Sequence, residues 1–286
     1  MEINVTVVIP FFVKNEVFVQ VLESVFTQSV KPKQLIMPRG VYESPEFRPF
    51  KSHWQQQNIQ VFDNELSTAD AMSFAVKVAT GRYITFVERQ EYWLPDKLKD
   101  QYQFLQDHPS AGSVYSGASS LTDILYKSKP QCLAASDMLI NNVSAPENIM
   151  LRTSLFDKVC RIEPNSEHFI IWDLGLQMMA ANIEQYSLRH LCMPLKVYDD
   201  GISKRNWCEY RRVLLKNQRV IENLLGVYEF QYYWYWGLKL TAKSEDKIKA
   251  RIVTTYATAM MYFYKLRIWI DRENEEPVKT VGPVER

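Results

Sequence analysis

The stretch Phe86–Trp93, FVERQEYW, places two carboxylates, Glu88 and Glu91, around Arg89 and Gln90. Neighbouring glutamates on a turn are hard oxygen donors of the kind that hold Mg²⁺ or Mn²⁺, although Arg89 opposes a cation there. The same residues are read equally well as a solvated loop. A second acidic pair, Asp199-Asp200, lies in VYDDGISKR, and Asp173 follows Trp172 in WDLG. A carboxylate or imidazole within hydrogen-bond reach of a hydroxyl can take its proton. The candidates upstream of Asp173 are Glu163, Glu167 and His168. The four cysteines, Cys132, Cys160, Cys192 and Cys208, are widely spaced with no C-x-x-C pair. That indicates neither a zinc knot nor a disulfide framework, and buried free thiols in a reducing cytoplasm are the expectation.

The elements that position these residues belong to a chain of 286 residues, 47% hydrophobic and 23% charged, enough for one large domain with an appendage. A net charge of +1 gives no reason to expect a nucleic-acid partner. Residues 4–9, NVTVVI, read as a strand ending at Pro10, and EVFVQVLESVFTQ as a helix. KQLIMP, NIQVFD and RYITFV are further strands. Between the last two, STADAMSFAVKVATG reads as a helix opened by a Ser/Thr/Asp cap and closed by Gly81. Pro95 suits the first turn of DKLKDQYQFLQDH, which stops before Pro109. The alternation predicts α/β layering around a largely parallel sheet.

From about residue 205 the pattern changes to two or three helices rich in Tyr and Trp, with no strand signal. The expected division is residues 1–203 as the α/β domain and 204–286 as a helical extension ending in a mobile tail. IVTTYATAMMYFYKLRIWI approaches spanning length but carries Lys265, Arg267 and three threonines, so it reads as a buried or interfacial helix and not a membrane span. Its rings, with those of YEFQYYWYW, either pack within the protein or form an interface, most simply a dimer, for which Trp234 and Trp236 are the anchors. Membrane-surface docking ranks third, for want of a clustered basic face.

Four segments, VTVVIPFF…VLESVFTQSVKPKQLIM, ATGRYITFVERQEYWLPDKLKDQ, NIMLRTSLFDKV and WDLGLQMMAANIEQYSL…MPLKVY, stand in one order over the first two thirds of the chain. In that order they resemble the family 2 glycosyltransferases. The resemblance implies a GT-A fold: a Rossmann-like central mixed sheet flanked by helices, here followed by the helical extension. In an active member it further implies an acidic pair after the second strand for the nucleoside, an acidic turn after the fourth for the cation on the sugar diphosphate, and a later carboxylate as base. The departing diphosphate must be neutralised as the glycosidic bond breaks, hence Mg²⁺ or Mn²⁺.

Set against that pattern, the first acidic pair becomes Pro38-Arg39 with Gly40 still in place, and the turn becomes Glu88-Arg89-Gln90-Glu91. The base position falls on Ile170 and Ile171, which cannot accept a proton. Asp199-Asp200 stand where the family often has cations. The donor-pocket candidates are therefore Pro10, Arg39, Glu88, Gln90, Glu91, Asp199 and Asp200, with Glu91 the metal candidate. Trp93, Trp172 and Asp173 are the acceptor-groove candidates, the tryptophans being more simply core.

Losses at three separate sites point to a degenerate glycosyltransferase without cofactor, acting as partner or scaffold in glycan biosynthesis with a second copy or a second glycosyltransferase. The alternative is an active enzyme that uses a nucleotide-sugar donor, Mg²⁺ or Mn²⁺ and a relocated site on a cell-surface glycan. A carbohydrate-binding module is a third reading. The expected location is cytoplasmic, free or peripheral to the membrane.

Overall fold

The computed structural model describes residues 2–54, 58–87, 91–118, 130–133, 149–164, 166, 169–194, 204–241 and 247–274. The chain divides into two compact units, residues 1–199 and 200–286.

In the first unit the β-branched run Glu2–Val8 forms β1, and Glu16–Phe26 forms helix α1. Asn15 caps that helix, its Oδ1 accepting from the Phe18 amide at 2.8 Å. Lys31–Pro38 is β2, followed by the short helices α2 (Arg39–Tyr42) and α3 (Arg48–Trp54), then by β3 (Asn58–Phe62). Helix α4 (Thr68–Val78) is capped by Ser67, whose Oγ accepts from the Asp70 amide and donates to the Asp70 carboxylate. It ends at Val78 without needing Gly81. Gly81 instead lies against β1, where a Cβ would overlap the Thr6 amide nitrogen.

The unit continues with β4 (Tyr83–Phe86), β5 (Glu91–Trp93), α5 (Lys97–Asp107), β6 (Ala111–Ala118), β7 (Gln131–Cys132), β8 (Ile149–Arg152), α6 (Leu155–Lys158), α7 (Ile170–Ala180) and β9 (Glu184–Pro194). Pro95 precedes the N-cap Asp96 of α5, and so stands before the helix and not in its first turn.

The nine strands among the described residues form one sheet in the order β3-β2-β1-β4-β8-β6-β9-β5, with β7 pairing to β9. β1 runs parallel to β2 and β4, and β2 to β3. β8 then enters antiparallel to both β4 and β6, so the sheet is mixed beyond its parallel first half. The two-residue alternation of each strand divides the core between the faces. Val5, Val7, Leu35 and Met37 pack with Phe18 and Val21 of α1 and Leu98 and Leu105 of α5. Val8, Ile36, Ile84 and Phe86 pack with Ala71 and Met72 of α4 and with Ile171 and Leu174 of α7. Helices thus cover both faces of a buried sheet.

In the second unit the described residues form four helices: α8 (Lys204–Lys216), α9 (Gln218–Leu224), α10 (Val227–Thr241) and α11 (Lys247–Asn274). The extra break falls at Gly226, whose φ of +114° is a conformation that glycine adopts without a steric penalty. Tyr210 donates its hydroxyl to the Tyr233 carbonyl at 3.0 Å, and Tyr264 of α11 packs against Tyr228 and Tyr235 of α10. Among the described residues of 210–270 there is no strand. Residues 275–286 of the expected mobile tail lie outside the described residues, and no helix among the described residues is long and apolar enough to cross a membrane.

Candidate functional site

Three parallel strands, β1, β2 and β3, end on the same edge of the sheet, where loops and not ladder hydrogen bonds occupy the backbone. Carboxyl ends of parallel strands are the usual place for a ligand in such sheets. A cavity of about 700 Å³ opens there, lined by Phe12, Lys14, Asn15, Gly40, Glu43 and Asn64 among others. Its walls have local causes. The cap Asn15 turns the chain from β1 into α1. The Asn64 side-chain oxygen accepts from the Gly40 amide at 2.7 Å and so ties the end of β2 to the end of β3. Gly40 has to be small because the Phe12 ring fills the space its Cβ would take.

Arg39 begins α2 beside this cavity, and its guanidinium lies 3.7 Å from the carboxylates of Glu43 and Asp63. All three side chains are more than half exposed, so the pairs contribute little to stability. They do fix the local charge: a cation stands where the family resemblance implies a nucleoside carboxylate, with two carboxylates placed around it. Sequence reasoning missed Phe12, Lys14, Asn15, Glu43, Asp63 and Asn64. A cap signal before α1 and the polar Asp63-Asn64 step at the end of NIQVFDN were the available clues.

Only some of the remaining candidates fall within the described residues. Pro10 is buried at the end of β1 and does not line the cavity. Glu88, Gln90, Asp199 and Asp200 lie outside the described residues, as do Glu167 and His168. Glu91 is placed through its backbone, paired with Pro194 of β9.

Ile170 and Ile171 open α7 and are 7% and 4% exposed, packed into the core. The residue before them, Phe169, caps the helix with φ 58°, in the left-handed region that bulky residues rarely adopt. Its ring meets Trp172 edge-on at 5.9 Å. Asp173 is buried and accepts from Gln177 Nε2 at 2.9 Å, while the same Gln177 is bound to the Arg161 backbone. This carboxylate anchors a loop to a helix.

Trp93 and Trp172 are both fully buried, so neither ring face is open to a sugar, and the simpler core reading describes their positions. The thiols also divide: Cys160 is buried, whereas Cys132 is exposed and departs from the expectation of buried thiols. Burial, with Asp173 nearby and Arg161 opposing, pushes the Cys160 thiol up to about 12, so it stays protonated and unreactive at neutral pH.

Trp234 sits within the helical unit, its ring 6.3 Å from Phe230 and 5.3 Å from the Arg211 guanidinium. Trp236 is placed on α10, and its side chain is outside the described set. Many of the rings expected at an interface are therefore used inside the helical unit.

The described part of the cavity does not fit a divalent cation. Arg39 brings a fixed positive charge to its edge with Glu43 and Asp63 turned toward it. Among the described residues no three His, Cys, Asp or Glu side chains come together as a ligand set.

A family model described as glycosyl transferase family 2 matches residues 6–157. Among solved structures, S. aureus TarS 1-349 superposes with a TM-score of 0.56 at 13% identity, covering 96% of this chain and 93% of that one. A longer TarS chain gives 0.55, and the present chain spans 54% of its length. The mannosyltransferase PcManGT of Pyrobaculum calidifontis, in complex with GDP-Man and Mn²⁺, gives 0.54 at 13% identity, covering 97% of this chain and 89% of that one. Likeness at this identity shows a shared fold and leaves chemistry to the site residues. A comparison with curated protein sequences gives no match.

Proposed function

The chain belongs to glycosyl transferase family 2 and has a GT-A fold, and from that premise we propose that it is a degenerate member, a partner or scaffold in glycan biosynthesis and not an efficient transferase. The observation that carries this reading is the start of α7. Glycosyl transfer needs an acceptor hydroxyl to lose its proton to a group within hydrogen-bond reach. Ile170 and Ile171 offer no lone pair, and both are packed into the core. The next carboxylate along the helix, Asp173, is buried and bound to Gln177.

The second support is Arg39, paired with Glu43 and Asp63 beside the cavity. An arginine there replaces the carboxylate that an ordinary donor site turns toward the nucleoside. What remains is a cavity in the size range of small-molecule sites, suited to a nucleotide or sugar fragment as a bound ligand. The assembly partner that belongs to this reading is a second copy of the chain or a second glycosyltransferase.

One observation favours the other reading, an active transferase using a nucleotide sugar with Mg²⁺ or Mn²⁺. Glu43 lines the cavity and Asp63 lies close to it, so a carboxylate lost at position 39 has neighbours able to take its place. Glu88, Glu91, Asp199 and Asp200 would then be the oxygen ligands that hold the cation.

Turnover separates the two readings. The purified chain, given UDP- and GDP-sugars with Mn²⁺ and a panel of mono- and disaccharide acceptors, is expected to release nucleoside diphosphate at the rate of a protein-free control. Turnover on the order of 1 s⁻¹, the low end for ordinary enzymes, would establish the active reading instead.

A further inference from the structure

The +1 net charge of the chain conceals two opposite halves. Residues 1–199 carry 18 Lys+Arg against 22 Asp+Glu, a net −4, while residues 200–286 carry 16 against 11, a net +5. Within the basic half, α11 is a single 28-residue helix. One side of it packs on α10 through Tyr264, with Ala257 buried. The other side is apolar and open: Tyr262 is 70% exposed, Phe263 47% and Leu266 54%.

At about 100° per residue, Thr255, Ala259, Tyr262 and Leu266 fall in one stripe, and Phe263 lies beside it. The exposed Lys265 falls on one edge of the stripe and Arg267 on the other, the Arg267 guanidinium 5.6 Å from the Phe263 ring centroid. The basic face is therefore a pair of borders around an apolar strip, which a search for clustered Lys and Arg does not detect.

We propose that this face of α11 docks the protein, lying in the interfacial plane, on an anionic phospholipid bilayer. Three physical points single out that occupant. A helix with apolar residues along its centre and long cationic side chains at both margins inserts the former below the headgroups while the latter reach up to the phosphates. Tyr suits the same level, since its ring is apolar and its hydroxyl polar. A second copy would bring another unit of net +5 and another Lys265 and Arg267 to the same face, and like charges across an interface oppose association. The inference concerns the helical unit alone and holds whichever way the cavity question is decided.

Flotation of the full chain with vesicles tests it. Binding to phosphatidylcholine containing about 30 mol% phosphatidylglycerol is expected to be at least about tenfold tighter than to phosphatidylcholine alone, and to weaken as salt is raised. Leu266→Asp is expected to weaken binding by about tenfold or more, and Lys265→Glu with Arg267→Glu by a similar factor. These positions are exposed, so the thermal midpoint should be unchanged. Tyr262→Trp provides a second readout, an emission blue shift on anionic vesicles only. Equal affinity for neutral and anionic vesicles, or anionic binding that survives Leu266→Asp, would overturn the proposal. So would a dimer in light scattering that Leu266→Asp dissociates, which would assign the face to a second copy.

Discussion

Trp93→Ala is expected to cost the first unit about 3–5 kcal/mol, the range for removing a fully buried aromatic side chain. The indole does more than fill space. The Lys97 ammonium, itself fully buried, lies 3.7 Å from the centroid of its ring and donates to Gln101 Oε1 at 3.0 Å. Removing the ring takes away a cation–π contact that is strong because it is desolvated. Trp93→Phe keeps an aromatic face over Lys97 and deletes an indole N–H that meets no acceptor among the described residues, so its cost should be only about 1–2 kcal/mol. Denaturant melts of both variants test the assignment. If Trp93 were instead an exposed platform for a sugar, Trp93→Ala would change stability by no more than about 0.5 kcal/mol, the usual limit for surface positions.

Gly81→Ala is the second large effect, expected at about 3 kcal/mol. Its Cβ would meet the Thr6 amide nitrogen and the Val5 carbonyl carbon, which are backbone atoms of a strand paired on both sides and cannot rotate away. The Gly81 amide also donates to Thr6 Oγ1 at 3.0 Å. Thr6 Oγ1 in turn donates to Gln34 Oε1 at 2.8 Å, and Gln34 holds the end of α4 through the Val78 carbonyl and the Thr80 amide. Displacing Gly81 therefore disturbs a buried polar network that joins β1, β2 and the α4–β4 turn, where half-satisfied groups are costly. The thermal midpoint should fall by about 10 °C, at 2–4 °C per kcal/mol for a domain of this size. A midpoint within about 2 °C of the parent chain would show that the close packing at Gly81 is not as described.

The first half of the sheet was legible because β1 to β4 are short β-branched or apolar runs bounded by turn residues, with side-chain-capped helices after β1 and β3. The second half was not. AGSVYSGA in β6 has small and polar residues in place of an apolar run, and it becomes a strand through pairing with β8 and β9, a tertiary cause that no local pattern shows. The segment read as two or three helices contains Gly226, whose positive φ divides it, and a lone glycine in a helical pattern is an ambiguous signal.

Of the site, the cation at Arg39 and the isoleucines at 170 and 171 could be read directly. The cavity could not, because Phe12, Asn15, Glu43 and Asn64 come from three different loops and meet only once the strands are parallel and in register.

The central claim, that this glycosyltransferase frame has lost its metal-dependent donor site, is tested most directly by calorimetric titration with UDP and GDP, each with and without Mn²⁺. A lost donor site should bind either nucleotide no more tightly than about 0.1 mM, roughly −5 kcal/mol or weaker, and equally with and without Mn²⁺. Micromolar binding that requires Mn²⁺ and is abolished by Glu91→Ala would contradict it.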